Sequence, residues 1–450
     1  MPHLRFGTDG VRGVASVDLT KEFVYCLGRA LARVLGPDHL YLIARDTRES
    51  GYILEGAVCT GLHRERALSL TCGVLPTPGL ALLAQEREAV GVMISASHNP
   101  WTDNGVKVFS LGGGKISDEQ QSAIEDQLEQ LLIEGDVRLD DMAAILNPGY
   151  APGSADRYVA HLVDSLKGRS LAGLKVVVDC GNGAAFEVAP FALRGLGAEV
   201  TVLNADPNGR NINDGCGSTD PSGLARAVVE LHADAGLALD GDADRVVMVD
   251  ASGDLVDGDK MLAVLAFDLD DQGLLAERGV ATTVMANLGL RRAFATRGIE
   301  LVETPVGDRY VKAAMDERGL VLGGEQSGHV IIGALANTGD GTLTGISVLD
   351  VMQRRGRSLA DLASVVDKAP QVLLNVKVAR REGLDDAEAF WSTVSAVERG
   401  LGDAGRVLVR ASGTEPVVRI MVEAVEPGVA DERAETLRIA LLDALGPLAD

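Results

Sequence analysis

The sequence predicts an α/β protein: three βαβ-type mixed-sheet domains plus a C-terminal α+β domain. Three observations carry this. Short aliphatic runs alternate with longer amphipathic stretches through most of the 450 residues. Several of those runs are apolar without a break, as strands covered on both faces require. The last segment differs, with three strand-like runs joined by turns and one closing helix.

The elements follow in order. Phe23, Val24, Leu27, Leu31, Val34 and Leu35 recur at helical spacing, with Thr20 as N-cap and Gly36-Pro37 as the stop. Leu40 to Ala44 and Val90 to Ser95 read as strands. Ser117 and Gln120 form a capping-box pattern before a stripe of Ile124, Leu128, Leu131 and Leu132. The stretch from Gly135 to Gly153, with Pro148 and Pro152, marks a boundary. Strands are then expected at Leu174 to Asp179, Val200 to Leu203 and Leu237 to Leu239. A third unit carries Ala281 to Met285, Ile299 to Val302 and Leu320 to Leu322. The final unit carries Val372 to Val378, Arg406 to Arg410 and Val417 to Glu423, then a helix with Leu437, Ala440, Leu441 and Leu445 on one face. The expected domains are therefore 1–150, 151–250, 251–365 and 366–450.

Composition narrows the function. Acidic residues number 65 against 42 basic ones, a formal charge of −23. A chain built to grip a nucleic-acid backbone would cluster Lys and Arg instead, so no nucleic-acid partner is expected. The five cysteines are an odd number with no CxxC pair, which argues against disulfides and zinc. The first thirteen residues are charged and Gly-rich rather than a signal peptide, and no apolar run approaches the ~20 residues of a membrane span. A cytoplasmic protein without a membrane partner is the expectation.

Four segments carry chemistry. Asp240-Gly241-Asp242-Ala243-Asp244-Arg245 follows a strand and sets three carboxylates two residues apart. In an extended chain such residues stand ~7 Å apart, too far to share an ion. A curl at Gly241 and Ala243 would let them converge on a hard cation such as Mg²⁺. An EF-hand fails here, because its sixth and twelfth positions would be Arg245 and Ala251. Ser95-Ala96-Ser97-His98-Asn99-Pro100 ends another strand, with Lys107 soon after; a serine beside a metal can carry a phosphoryl group. Gly324-Glu325-Gln326-Ser327-Gly328-His329 is a tight loop offering partners to hydroxyls. Arg410-Ala411-Ser412-Gly413-Thr414, with Arg419 beyond, has what a phosphate monoester needs, yet lacks the Walker spacing. Arg5, Thr8, Asp9, Gly10 and Arg12 make a further cationic loop. Taken singly, each has an ordinary reading as a turn or a solvated acidic loop.

Together they carry a likeness. FGTDGVRG at 6–13, RDTRESG at 45–51, SASHNP at 95–100, DGDADR at 240–245, VGDRYV at 306–311, GGEQSGH at 323–329, TGDG at 338–341 and RASGTEP at 410–416 occur in the order of the α-D-phosphohexomutase superfamily, which the chain resembles over almost its whole length. The Gln of GGEQSGH and the opening FGTDGVRG look like its glucosamine branch; a phosphomannomutase or phosphoglucomutase is the nearer alternative, and a non-catalytic sugar-phosphate sensor the more distant one. The resemblance implies four domains around one central cleft and an isomerase interconverting glucosamine 6-phosphate and 1-phosphate through a 1,6-bisphosphate. It implies that Ser97 is phosphorylated and that Asp240, Asp242 and Asp244, with the phosphate on Ser97, bind one Mg²⁺. It matches Glu325 and Ser327 to sugar-hydroxyl binders and Arg410, Ser412, Gly413, Thr414 and Arg419 to the loop holding the phosphate not transferred. Arg12, His98, Lys107, Arg245 and His329 match polar residues of the catalytic set. A phosphosugar is the implied substrate, glucosamine or glucose 1,6-bisphosphate the implied primer, and a homodimer is left open. Trp101, Asp220 and Ala411 depart from the usual pattern without removing a hydroxyl, a ligand or an Arg.

Overall fold

The computed structural model of the protein describes Leu4 and residues 6–7, 10–135, 149–411 and 417–448. It falls into two compact units, Met1–Met285 with Gly298–Val365 and Ala286–Arg297 with Val366–Asp450.

The first unit holds three sheets. The first runs Val11–Val14, Asp103–Phe109, Val90–Ile94, Leu40–Arg45, Leu68–Val74, Gly149–Tyr150. The strand Leu40–Arg45 pairs in parallel with both neighbours, while Val90–Ile94 and Asp103–Phe109 are antiparallel. Its helix Lys21–Leu35 is buried almost all round, from Phe23 to Ala32. It meets the helix Gly51–Arg64 at backbone distance: a Cβ on Gly61 would lie 2.1 Å from Tyr25 O, and one on Gly28 2.4 Å from Val58 O. No residue larger than glycine permits that approach. Thr20 caps the helix by accepting from Phe23 N, and Ser117 and Gln120 form the expected capping box.

The second sheet runs Leu255–Val256, Val246–Asp250, Ala235–Leu239, Lys175–Asp179, Glu199–Leu203, and the third Glu300–Thr304, Gly279–Thr283, Leu322–Gly324, Val330–Ile332. Both mix parallel and antiparallel pairs. Two strands of the third sheet sit two residues from their expected places. The strand Gly279–Thr283 ends early because the Thr283 hydroxyl accepts from Met285 N and turns the chain. Leu322–Gly324 starts late because Gly319 and Leu320 close the preceding helix, Gly319 in the left-handed region and Leu320 N bonding to Met315 O.

The second unit is an antiparallel sheet, Gln371–Lys377, Val417–Ala424, Gly405–Ala411, covered by the helices Glu388–Leu401 and Val429–Leu445. Leu437, Leu441 and Leu445 pack into its core with Phe390, Ile420 and Val422. The helix Leu288–Arg297 belongs to this unit. Glu423, wholly buried, accepts from Leu288 N at 2.9 Å and from the guanidinium of Arg406 at 2.6 Å.

Candidate functional site

Four loops of the first unit leave the carboxyl ends of parallel or central strands, where open α/β sheets bind ligands. Leu40–Arg45 runs into Asp46–Arg48, Val90–Ile94 into Ser95–Asn99, Ala235–Leu239 into Asp240–Arg245, and Leu322–Gly324 into Glu325–His329.

The carboxylates of Asp240, Asp242 and Asp244 converge, with one oxygen from each lying within 4.8 Å of the others. The curl comes from Ala243, which adopts φ +56°. All three are buried. Asp242 Oδ2 accepts from Thr77 Oγ1 at 2.6 Å and Lys107 Nζ at 2.7 Å; Asp244 Oδ2 accepts from Lys107 Nζ at 3.0 Å. Asp242 Oδ1 and Asp244 Oδ1 are buried with no hydrogen-bond partner among the described residues. Burial, then the charges of Asp244 and Asp242, push Asp240 well above the carboxylate range. Burial opposes ionisation of Asp244 too, but Lys107, His329 and Arg245 hold it well below that range. Crowded, oxygen-only, partly unsatisfied acids of this kind fit a hard divalent cation.

Ser97 meets this triad. It is fully buried, lies at φ +52°, and donates from Oγ to Asp240 Oδ2 at 2.5 Å. A Cβ on Gly241 would sit 2.6 Å from Ser97 O, so the two loops touch backbone to backbone. His98 Nδ1 stands 3.4 Å from Ser97 Oγ and 3.3 Å from an Arg245 nitrogen. Burial, then the charges of Arg245 and Arg12, lower its pKa to about 4, so its ring is neutral near pH 7. His329 is buried and accepts from Gly339 N on Nε2, with Nδ1 3.7 Å from Asp244. Burial resists its charging, yet Asp244 outweighs burial and its pKa is raised.

The loop of Glu325 is held by three separate segments. Gly258 N donates to Gln326 O, Val246 N to Gly328 O, and Gly307 N to Glu325 Oε1. Ser327 Oγ stands 3.4 Å from Glu325 Oε2. A Cβ on Gly324 would meet His329 O at 2.6 Å, which accounts for the glycine.

The structure thus brings together Ser97, His98, Lys107, Asp240, Asp242, Asp244, Arg245 and His329. Arg12 lies on the edge strand paired with Gly105. In the second unit Arg410 and Arg419 face each other across a strand pair, and burial followed by the charge of Arg419 lowers the pKa of Arg410. Two guanidinium groups so placed suit an anion. Ser412, Gly413 and Thr414 lie outside the described residues, as do Arg5, Thr8 and Asp9. Asp46, Arg48, Thr77 and Asn213 also belong to the cluster and were not among the expected residues. Arg48 stood inside a recognised motif; Thr77 and Asn213 gave no local signal.

Known proteins share this plan. Segments 3–132, 156–253 and 257–369 match alpha/beta/alpha domains I, II and III of phosphoglucomutase/phosphomannomutase, and 373–440 matches the C-terminal domain. Among solved structures, a phosphoglucomutase/phosphomannomutase family protein from Burkholderia thailandensis superposes with a TM-score of 0.78 at 24% identity, over 98% of this chain and 97% of that one. The N-acetylphosphoglucosamine mutase of Aspergillus fumigatus, solved with GlcNAc-6P and magnesium, gives 0.69 at 19% identity, over 98% and 96%. The phosphoglucosamine mutase of Salinispora tropica is 49% identical over 446 residues, covering 96% of this chain and 97% of its own. That of Thermobifida fusca is 48% identical, covering 96% and 98%. With such identity along nearly its full length, the chain belongs to the phosphoglucosamine mutase family, within the α-D-phosphohexomutase superfamily.

Proposed function

We propose that this chain is an isomerase that interconverts glucosamine 6-phosphate and glucosamine 1-phosphate, with Ser97 as its phosphoryl carrier. One observation supports the carrier assignment above others: a buried serine in a left-handed backbone conformation donates directly to a buried triad of carboxylates. Family membership supports the reaction and the sugar.

Asp240, Asp242 and Asp244 would hold the metal ion, here Mg²⁺, which supplies charge neutralisation for a phosphate on Ser97. The chain's own residues do the rest. The sugar's O1 hydroxyl attacks the phosphorus on Ser97; the O1–P bond forms and the bond to Oγ breaks. The O1 proton leaves to the surrounding polar set, and Oγ regains one from it. The 1,6-bisphosphate turns over and presents its 6-phosphate. Ser97 Oγ then attacks, giving its proton to the same polar set; the Oγ–P bond forms, the O6–P bond breaks, O6 takes a proton, and glucosamine 1-phosphate departs. Phosphoryl transfer asks for positioning and charge more than covalent novelty. Lys107 and Arg245 offer positive charge beside the triad, Glu325 and Ser327 offer partners to ring hydroxyls, and Arg410 and Arg419 grip the phosphate that stays. Glucosamine or glucose 1,6-bisphosphate primes the enzyme. The domains that serve these roles are 1–150, 151–250, 251–365 and 366–450.

The test is turnover on glucosamine, glucose and mannose 6-phosphates, with Mg²⁺ and a bisphosphate primer. The proposal expects kcat/KM highest for glucosamine 6-phosphate. Preference for either other sugar would reassign the substrate while leaving the chemistry in place.

A further inference from the structure

We propose that Arg48 and Asn213 are positioning residues that hold Ser97 in its transfer geometry by gripping the carbonyl oxygens of its loop. The inference rests on Ser97 being the phosphoryl carrier.

Ser97 needs holding. A residue with a side chain costs energy in the left-handed region, and such strain persists only where surrounding groups determine it. Here both peptide groups of Ser97 are tied. On the amide side, Ser97 N donates to Ser95 Oγ at 2.9 Å, and Ser95 Oγ donates to Asp46 Oδ2 at 2.6 Å. On the carbonyl side, Ser97 O accepts from Arg48 at 2.8 Å and from Asn213 Nδ2 at 2.9 Å.

Arg48 is committed to this loop. Its side chain is wholly buried, with Nε on Asp46 Oδ2 at 2.8 Å. Its terminal nitrogens reach Pro100 O at 2.5 Å, Ser97 O at 2.8 Å and Asn99 O at 2.9 Å. The planar fork of Arg can serve three carbonyls and a carboxylate together; the ammonium of Lys cannot. Asp46 neutralises it, and Asp46 itself is fixed by Arg48 N and Ser95.

Asn213 arrives from the loop after the strand Glu199–Leu203 and donates to two of the same oxygens, Ser97 O and Asn99 O, the second at 3.2 Å. Its own φ is +57°, and its Oδ1 is buried with no hydrogen-bond partner among the described residues. A buried amide placed for stability alone would be satisfied at both ends. This one leaves its oxygen unpaired and spends its nitrogen on the Ser97 loop. Two segments from two sheets therefore converge on one carbonyl, that of Ser97.

The consequence is kinetic. Displacement at phosphorus tolerates little misplacement of the attacking or leaving oxygen, and about 1 Å can cost roughly a hundredfold. The hydrogen bonds of the clamp go to the Ser97 loop and Asp46 and to none of Glu325, Ser327, Arg410 and Arg419, the residues proposed to bind the sugar and the phosphate that stays, so its loss belongs in kcat.

The test compares wild type, Asn213→Gly and Arg48→Lys. Glycine keeps the left-handed backbone and removes only the amide; lysine keeps the charge opposite Asp46 and removes the fork. Circular dichroism checks folding, and kcat and KM for glucosamine 6-phosphate are measured separately, with Mg²⁺ and glucose 1,6-bisphosphate present. The clamp predicts a fall in kcat of at least about tenfold in each folded variant, approaching a hundredfold for Arg48→Lys, with KM within about twofold. Should Arg48→Lys not fold, Asn213→Gly decides alone. A folded Asn213→Gly with unchanged kcat, or with a loss confined to KM, overturns the clamp. A wild type without turnover overturns the mutase reading instead.

Discussion

Ser97 and the three aspartates work as one crowded group, and small changes around them have large expected effects. Gly241→Ala would push a methyl to 2.6 Å from Ser97 O and 2.8 Å from Ile212 Cδ1. The loops must part, so activity should fall at least about tenfold while the sheets stay folded; unchanged kcat in the purified variant would mean the two loops need not touch. Lys107 is a buried cation between Asp242 and Asp244. Lys107→Met removes the ammonium that both carboxylates share and should destabilise the protein by about 3–5 kcal/mol. Mg²⁺ should recover part of that loss, read as a rise in melting temperature over the same protein in EDTA. A melting temperature indifferent to both Lys107 and Mg²⁺ would speak against the triad as a cation site. Much of this group was legible beforehand, because three Asp at spacing two after an apolar strand is rare chemistry in plain view. The curl expected at Ala243 is observed, in the left-handed region; Thr77 and Asn213 were not legible, because their roles exist only through contacts across sheets.

At the scale of elements, caps and turns set the frame that aims the loops. Thr20→Ala removes the acceptor for Phe23 N and should cost about 1 kcal/mol in urea unfolding, without touching kcat. Asp340 has a larger role. It caps the helix Gly341–Arg355 through Leu343 N, receives the Tyr158 hydroxyl on both oxygens, and is buried. Burial raises its pKa from 3.8 to about 7. A carboxyl raised in the folded state favours folding most when protonated in both states. Its contribution is present below about pH 4 and is lost as pH rises through 7, an effect on the order of 4 kcal/mol. Asp340→Asn should therefore flatten the pH dependence of stability between pH 4 and 7, measured by denaturant titration at several pH values. A wild-type curve with the same slope as the variant would show that Asp340 does not carry it. Helix starts with side-chain caps and uninterrupted apolar strands were readable from local pattern, as the Ser117 capping box and Lys175–Asp179 show. The third sheet was misplaced by two residues because a Thr283 turn and a Gly319 cap decided its ends, and neither alters hydrophobic periodicity.

For the whole molecule, a net charge of −23 sits on a chain proposed to bind anionic sugars. Net charge describes solubility and long-range steering, while binding depends on the local set. Locally, Lys107 and Arg245 stand against the triad in one unit, and Arg410 faces Arg419 in the other. The likeness that identified the family was spread over motifs from both units, which is why it was visible in sequence; the assignment of the helix Leu288–Arg297 to the C-terminal unit was not, since it depends on Glu423 meeting Leu288 N. Turnover in this chain is proposed to depend on Ser97 as the carrier. Its most direct test is phosphopeptide mapping by mass spectrometry of wild type and Ser97→Ala after incubation with glucose 1,6-bisphosphate and Mg²⁺, alongside primed turnover of glucosamine 6-phosphate. The prediction is phosphate on Ser97 in wild type, and a folded Ser97→Ala that carries none there and does not turn over. Full activity in Ser97→Ala, or phosphate placed on another residue of an active wild type, would contradict it.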